Sequence, residues 1–398
     1  YWHGIDTSAA EMKPFRAWNT IGKSNRPLNK STQEWVPLVF NAVVPEDIKA
    51  FFTAYHGWLA AQGVTGVKVD NQSHLEFMTY GAGPLADVMG AYKRALESSV
   101  DSLFSPGSVI NCMGLGSDAL FQAMTSSVTR NSNDYFPDQP ETHGQHLTVN
   151  AYNSLMTGQL VLPDWDMFKS GHAWGAYHAS ARAISGGPVY LSDRPGEQDS
   201  KLLARISLPD GRVLRCPTPA LPTPDILFRD PQSEDVALKI FNRNLDGAWV
   251  LGAWNCRWDS LNAITVQDTL SVSLIQGIPK DGRFAVWSFS KRELSVRDYA
   301  GRWPLSLGQR EFEVCTVALI DRGVAPLGRT DMYNSAGIFE SFGWQADGSY
   351  MARVKSGGKI SFYSQDRPAA VTAGGAAVAF EFDPADGLLV TDAPGQTP

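Results

Sequence analysis

The sequence predicts an α/β chain in two parts: a parallel sheet covered by helices, followed by an antiparallel β-sandwich. Three observations carry this. Up to about residue 204, short β-branched runs alternate with longer helical stretches. Those runs are continuously apolar, as strands buried on both faces require. After residue 205 the apolar residues recur at period two, in short segments separated by Gly, Pro and Asp turns. The expected domains are therefore 1–204 and 205–398, meeting near 203–209.

Taken in order, a strand at 35–44 leads into a helix at 45–63, where Ile48, Phe51, Phe52, Tyr55 and Leu59 mark one apolar face. A strand at 64–69 follows, then a helix at 84–103, a strand at 108–113, and a helix at 117–126 with Ser117 or Asp118 near its cap. The alternation continues with a strand at 127–131, a helix at 143–156, a strand at 159–163, a helix rich in small residues at 172–184 and a strand at 187–192. In the second part Val236, Leu238 and Ile240 alternate with polar neighbours, as do Ala285, Trp287 and Phe289, then Ile360 and Phe362. Its many tryptophans are expected in the sandwich core rather than in a carbohydrate-binding strip.

Of the 398 residues, 43% are hydrophobic and 19% charged, a globular composition, and the net charge of −7 leaves no Lys/Arg cluster for nucleic acid. Nor is a membrane partner expected, because the longest apolar runs, such as 248–254, fall far short of the ~18 residues that span a bilayer. Cys112, Cys216, Cys256 and Cys315 lack CxxC spacing, which indicates neither a zinc site nor a dense disulfide framework and leaves one or two disulfides open. No GxGxxG, GxxxxGK[ST] or GxSxG motif is present, so no nucleotide cofactor or serine-hydrolase elbow is expected. His143 and His146 lack an HExxH frame, and a solvated or structural role is expected for them; no metal or other cofactor is assigned.

Nearly every expected strand of the first part ends in polar residues: Lys68, Asp70 and Asn71; Asn111 and Cys112; Arg130, Asn131 and Asp134; Asp164, Trp165 and Asp166; Ser192 and Asp193. Polar groups at the carboxyl ends of successive parallel strands are how a barrel or doubly wound sheet builds a site. Carboxylates and aromatic platforms without metal or nucleotide motifs point to sugar chemistry, in which one ionised and one protonated carboxyl act on a glycosidic bond. For any single Asp after a strand, capping of the next helix is an equal alternative.

The segments Tyr1-Trp2-His3-Gly4, Gly66-Val67-Lys68-Val69-Asp70, Arg130-Asn131-Ser132-Asn133-Asp134-Tyr135-Phe136-Pro137, Pro163-Asp164-Trp165-Asp166-Met167-Phe168 and Arg182 to Asp193 occur in a fixed order. With Arg215, Pro222 to Asp225 and Lys239 to Cys256, this series resembles the raffinose synthase and alkaline α-galactosidase (seed imbibition protein) group of glycoside hydrolase family 36 over about residues 1–260. The resemblance implies a retaining (β/α)8 TIM barrel with its nucleophile on the fourth strand and its acid/base on the sixth. Counting 64–70 as the fourth strand makes Asp70 the implied nucleophile, with Lys68 on the same strand face reaching a sugar hydroxyl. Asp134 is the implied acid/base, four residues after Arg130, itself an implied substrate contact; the alternative is that Asn133 marks a lost acid. Asp164, Trp165 and Asp166 are read either as sugar contacts, with Trp165 stacking on a sugar face, or as a buried network anchoring the rim. Cys112 is either core or contact, and Trp2 and His3 would line the end of the third strand.

The expected function is hydrolysis of terminal α-galactosides of raffinose-type oligosaccharides, because the stretch from Asp134 to Ala151 is short where raffinose synthases resemble one another in a longer insertion. A raffinose-synthase-like galactosyltransferase and a catalytically impaired sugar binder are the alternatives. The resemblance also places Tyr1 at the third barrel strand, so the chain is read as strands 3–8 plus the sandwich of a longer, cytoplasmic protein; oligomeric state is left open.

Overall fold

The computed structural model describes residues 4–21, 39–75 and 81–394. The chain divides into two compact units, Tyr1–Asn131 with Leu160–Asp164, and Ser132–Gln159 with Trp165–Pro398. The expected boundary at 204/205 thus falls inside the second unit. Strand–helix alternation of the (β/α)8-barrel kind gives way along the chain to an antiparallel β domain, the fold class expected.

In the first unit, β1 (Ala17–Ile21) and β2 (Val39–Val43) pair antiparallel, and only the second of them was expected. Helix α1 (Ile48–Ala61) buries Ile48, Phe51, Phe52 and His56. Tyr55, expected in that stripe, is exposed instead, because His56 turns inward and its Nδ1 meets Ser99 Oγ at 2.8 Å. Strand β3 (Val67–Val69), α2 (Leu85–Leu103), β4 (Val109–Asn111), the single-turn α3 (Ser117–Leu120) and β5 (Val128–Arg130) follow. The expected helix at 117–126 therefore ends after one turn. Next along the chain come α4 (Thr142–Thr157), β6 (Leu162–Asp164), α5 (Gly175–Ser185) and α6 (Ser200–Leu203).

Strands β3, β4, β5 and β6 form one parallel sheet in chain order. Met89, Tyr92, Leu96 and Val100 of α2 pack with Phe51 and Phe52 of α1 and with Val109, at the 3–4 residue spacing of one helix face. The strand expected at 187–192 is reduced to one parallel bridge, Phe168↔Leu191, because Gly186, Gly187 and Pro188 enter it. Gly186 sits at φ 80°, closing α5, where a Cβ would lie 2.0 Å from the Thr218 carbonyl oxygen.

The antiparallel region begins with β7 (Leu221–Pro222), β8 (Leu238–Leu245), β9 (Ala248–Trp254), β10 (Val266–Ser271), β11 (Arg283–Ser288), β12 (Glu293–Asp298), β13 (Arg302–Leu307) and β14 (Phe312–Leu319). Six of these form a sheet in the order β12-β11-β14-β9-β8-β7, and a four-stranded sheet lies further along the chain. The expected apolar–polar alternation fails at β8, which like the apolar run of β9 is almost wholly buried. Leu238, Ile240 and Val250 enter a core shared with Ala179, Ala183 and Ile184 of α5, while Phe241, Trp249 and Leu251 enter another with Phe284 and Val317. With both faces covered, even Lys239 is buried, and it is held by Asp225 at 2.5 Å and Asp268 at 2.8 Å. Trp249, Trp254 and Trp287 are core residues. All four cysteines are buried and free. Among the described residues no helix is long and apolar enough to cross a membrane.

Candidate active site

Strand β3 delivers Lys68 and, just beyond it, Asp70; both are exposed, and their spacing of two puts them on one side of the strand. Asp70 Oδ1 accepts the Asn71 N–H at 2.8 Å. Cys112 follows β4 and is buried, with Asp70, Arg130 and Lys68 as its charged neighbours. Burial first, and then the Asp70 contact, push that thiol up to about 12, while the charges of Arg130 and Lys68 pull the other way. Four residues singled out from sequence, Lys68, Asp70, Cys112 and Arg130, thus share one electrostatic neighbourhood at the carboxyl ends of β3, β4 and β5. Cys112 is thus a buried thiol that stays protonated near neutral pH. Asp164 ends β6 as the register partner of Arg130, is fully buried, and its carbonyl accepts the Asn131 N–H at 2.9 Å.

The turn after Asp70 is held from inside. Asn71 adopts φ 58° and ψ 30°, and its side chain is buried with neither polar atom partnered. Gln72 Nε2 donates to the Val69 carbonyl at 3.1 Å and to Asn111 Oδ1 at 2.8 Å. The buried Lys93 of α2 donates to Asn111 Oδ1 at 2.6 Å and Gln72 Oε1 at 3.1 Å. Burial brings its ammonium down to about 8, against a partial pull upward from Glu97. Asp70, Asn71, Gln72 and Lys93 line a cavity of about 30 Å³, room for one water. Sequence reading missed Lys93, although it lies four residues after Met89 and three before Leu96, inside the apolar stripe of α2.

In the second unit, Asn133 and Asp134 are both exposed on the loop before α4. The next residue, Tyr135, donates its backbone N–H to Asp166 Oδ2 at 2.9 Å, and Tyr190 donates its hydroxyl to Asp166 Oδ1 at 3.3 Å. Asp166 is buried at φ 64°, a conformation that Asp tolerates better than most residues. The network reading of Asp166 therefore matches its position. Trp165 has no exposed surface and belongs to the core with Leu147 and Tyr177. The stacking reading of Trp165 is corrected accordingly, since a ring covered on both faces by protein offers none to a sugar. Trp2 and His3 lie outside the described residues.

His143 and His146 are buried rather than solvated. His143 Nδ1 lies 2.8 Å from His178 Nε2, and Trp174 stacks on the His143 ring at 4.4 Å. Among the described residues no group of three His, Cys, Asp or Glu is placed to hold a metal.

Comparison with known proteins adds to this picture. A probable galactinol–sucrose galactosyltransferase 6 from Arabidopsis thaliana is 36% identical over 423 residues, covering 98% of this chain and 56% of the relative. A galactinol–sucrose galactosyltransferase from Pisum sativum is 33% identical over 380 residues, 86% of this chain and 47% of the relative. The chain spans about half the length of the curated relatives it matches. Among solved structures, a GH27 β-L-arabinopyranosidase from Geobacillus stearothermophilus aligns with a TM-score of 0.50 at 13% identity, covering 71% of this chain and 65% of the other, a likeness of fold. The raffinose synthase or seed imbibition protein Sip1 family matches residues 1–392, and the chain belongs to that family.

Proposed function

We propose that this chain carries the catalytic carboxyls of a retaining enzyme that moves α-galactosyl groups of raffinose-type oligosaccharides, with Asp70 as nucleophile and Asp134 as acid/base. The observation that carries the reading is the placement of Lys68 and Asp70, Cys112 and Arg130 at the carboxyl ends of three adjacent parallel strands, β3, β4 and β5. In the first step an Asp70 oxygen bonds to the anomeric carbon as the glycosidic C–O bond breaks, and Asp134 gives its proton to the departing oxygen. In the second, a hydroxyl oxygen attacks that carbon, Asp134 takes the hydroxyl proton, and the bond to Asp70 breaks. Lys68 and Arg130 hold sugar hydroxyls.

Water as the second attacker makes the enzyme an α-galactosidase, the fate favoured by the short stretch between Asp134 and Ala151. A sugar hydroxyl makes it a galactosyltransferase, the fate favoured by the names of the relatives. Measuring free galactose against trisaccharide formed from galactinol and sucrose separates the two.

Azide tests the two roles. With an activated α-galactoside, Asp134→Ala should form α-galactosyl azide through the intact intermediate, and Asp70→Ala should form β-galactosyl azide by direct attack. Exchange of those outcomes reverses the assignment. Full release of galactose from raffinose, whose leaving group needs a proton, by either variant removes that residue from the mechanism.

A further inference from the structure

Arg182 of α5 is fully buried and is spent on backbone oxygens. Its Nε donates to the Asp166 carbonyl at 2.9 Å, and its Nη2 donates to the carbonyls of Trp165 at 2.6 Å and Met167 at 3.2 Å. Its Nη1 reaches His178 Nδ1 at 2.9 Å. A guanidinium only donates, so His178 accepts there and carries its proton on Nε2, which it donates to His143 Nδ1. His143 in turn has its proton on Nε2, 3.2 Å from the Pro137 carbonyl. The proton positions of His178 and His143 are thus set by their neighbours, and the same guanidinium holds the backbone at 165–167. That turn presents Asp166, whose Oδ2 takes the N–H of Tyr135. The peptide bond so gripped is the one that joins Tyr135 to Asp134.

We propose that Asp166, braced from behind by Arg182, is a positioning residue for Asp134, fixing the backbone from which the acid/base carboxyl projects. The proposal rests on the reading of Asp134 as acid/base. It differs from a sugar contact by Asp166, because the carboxylate accepts from the Tyr135 N–H and the Tyr190 hydroxyl and the side chain is buried.

The test is a leaving-group series on the full chain. Proton donation matters for a poor leaving group such as raffinose or a phenyl α-galactoside and little for α-galactosyl fluoride. Asp166→Ala should lower kcat/KM about 10²-fold for the former, within the range general acid catalysis supplies, and less than about tenfold for the fluoride. Asp166→Asn, which keeps an acceptor for Tyr135, should recover most of the loss. An equal loss across the series, or none, overturns the proposal. Asp134→Ala is the reference: if it lacks the leaving-group signature, the acid/base reading itself has failed. Hydrogen exchange at the Tyr135 amide gives a readout independent of turnover. Asp166→Ala should speed it at least about tenfold with the melting transition still cooperative, and unchanged protection overturns the proposal.

Discussion

The surroundings of Asp70 and Asp134 hold their carboxylates by different means. At Asp70 the support is a chain of side chains, in which Lys93 and Gln72 meet at Asn111, and Asn111 Nδ2 continues to Ser126 Oγ at 3.0 Å. At Asp134 the support grips backbone, through Asp166 on the Tyr135 N–H and Arg182 on three carbonyls. The first device contains a lysine that can lose its charge near neutral pH; the second contains an arginine that cannot. The difference teaches that a carboxylate at a strand end needs only its turn fixed, whereas one on a loop needs the loop itself anchored.

The largest expected effect breaks both neighbourhoods at their centre: Asp70→Ala and Asp134→Ala should each lower turnover of a raffinose-type substrate by about 10³-fold or more, measured by released galactose. Next, Arg182→Met should cost about 3–5 kcal/mol in denaturant unfolding, because the carbonyls of Trp165, Asp166 and Met167 lose a charged donor at a buried site; a cost under about 1 kcal/mol would show that the brace is dispensable.

Acid should then distinguish the two sides. Burial holds His143 down to about 4 and His178 well below its ordinary value. The unfolded chain therefore binds more protons than the folded one between about pH 6.5 and 4, and stability falls as pH drops through that window. For His143 alone the loss is about 3 kcal/mol at most, and His143→Gln should flatten it in urea titrations. Alkali sharpens the other side. Folding lowers Lys93 from 10.5 to about 8, so the unfolded chain binds more protons across that range and the lysine becomes easier to keep buried as pH rises. Wild type should gain stability relative to Lys93→Met, by about 1–3 kcal/mol, between pH 8 and 10.5. A constant difference would mean that the ammonium is already well solvated.

The strand-end residues were legible because they depend on chain order alone: a β-branched run followed by Lys-Val-Asp, Asn-Cys or Arg-Asn places side chains at a sheet edge whatever the packing. Asp70, Lys68, Cys112 and Arg130 came together on that basis. For Trp165 the sequence left stacking and burial both open because nothing local separates a tryptophan at the rim from one beneath it, and its burial depends on α4 and α5 residues such as Leu147 and Ala181. Lys93 and Arg182 were missed for the opposite reason, since charged residues in helices ordinarily face solvent. The signal for Arg182 was its company: Ala179, Ser180, Ala181, Ala183 and Ile184 leave α5 no solvent face, so a charge among them had to be spent on protein. The alternation expected at β8 misled because that strand serves two cores.

The way Arg182 holds its turn bears on how such a rim changes over evolutionary time. Carbonyl oxygens are common to every residue type, so the brace is indifferent to which side chain stands at 167, where the surface is only half-buried. Position 166 has no such freedom, being confined by its left-handed backbone and by its duty to Tyr135. A change of side chain at 167 therefore leaves the Arg182 bond to that carbonyl available, whereas a change at 166 removes the grip on Tyr135.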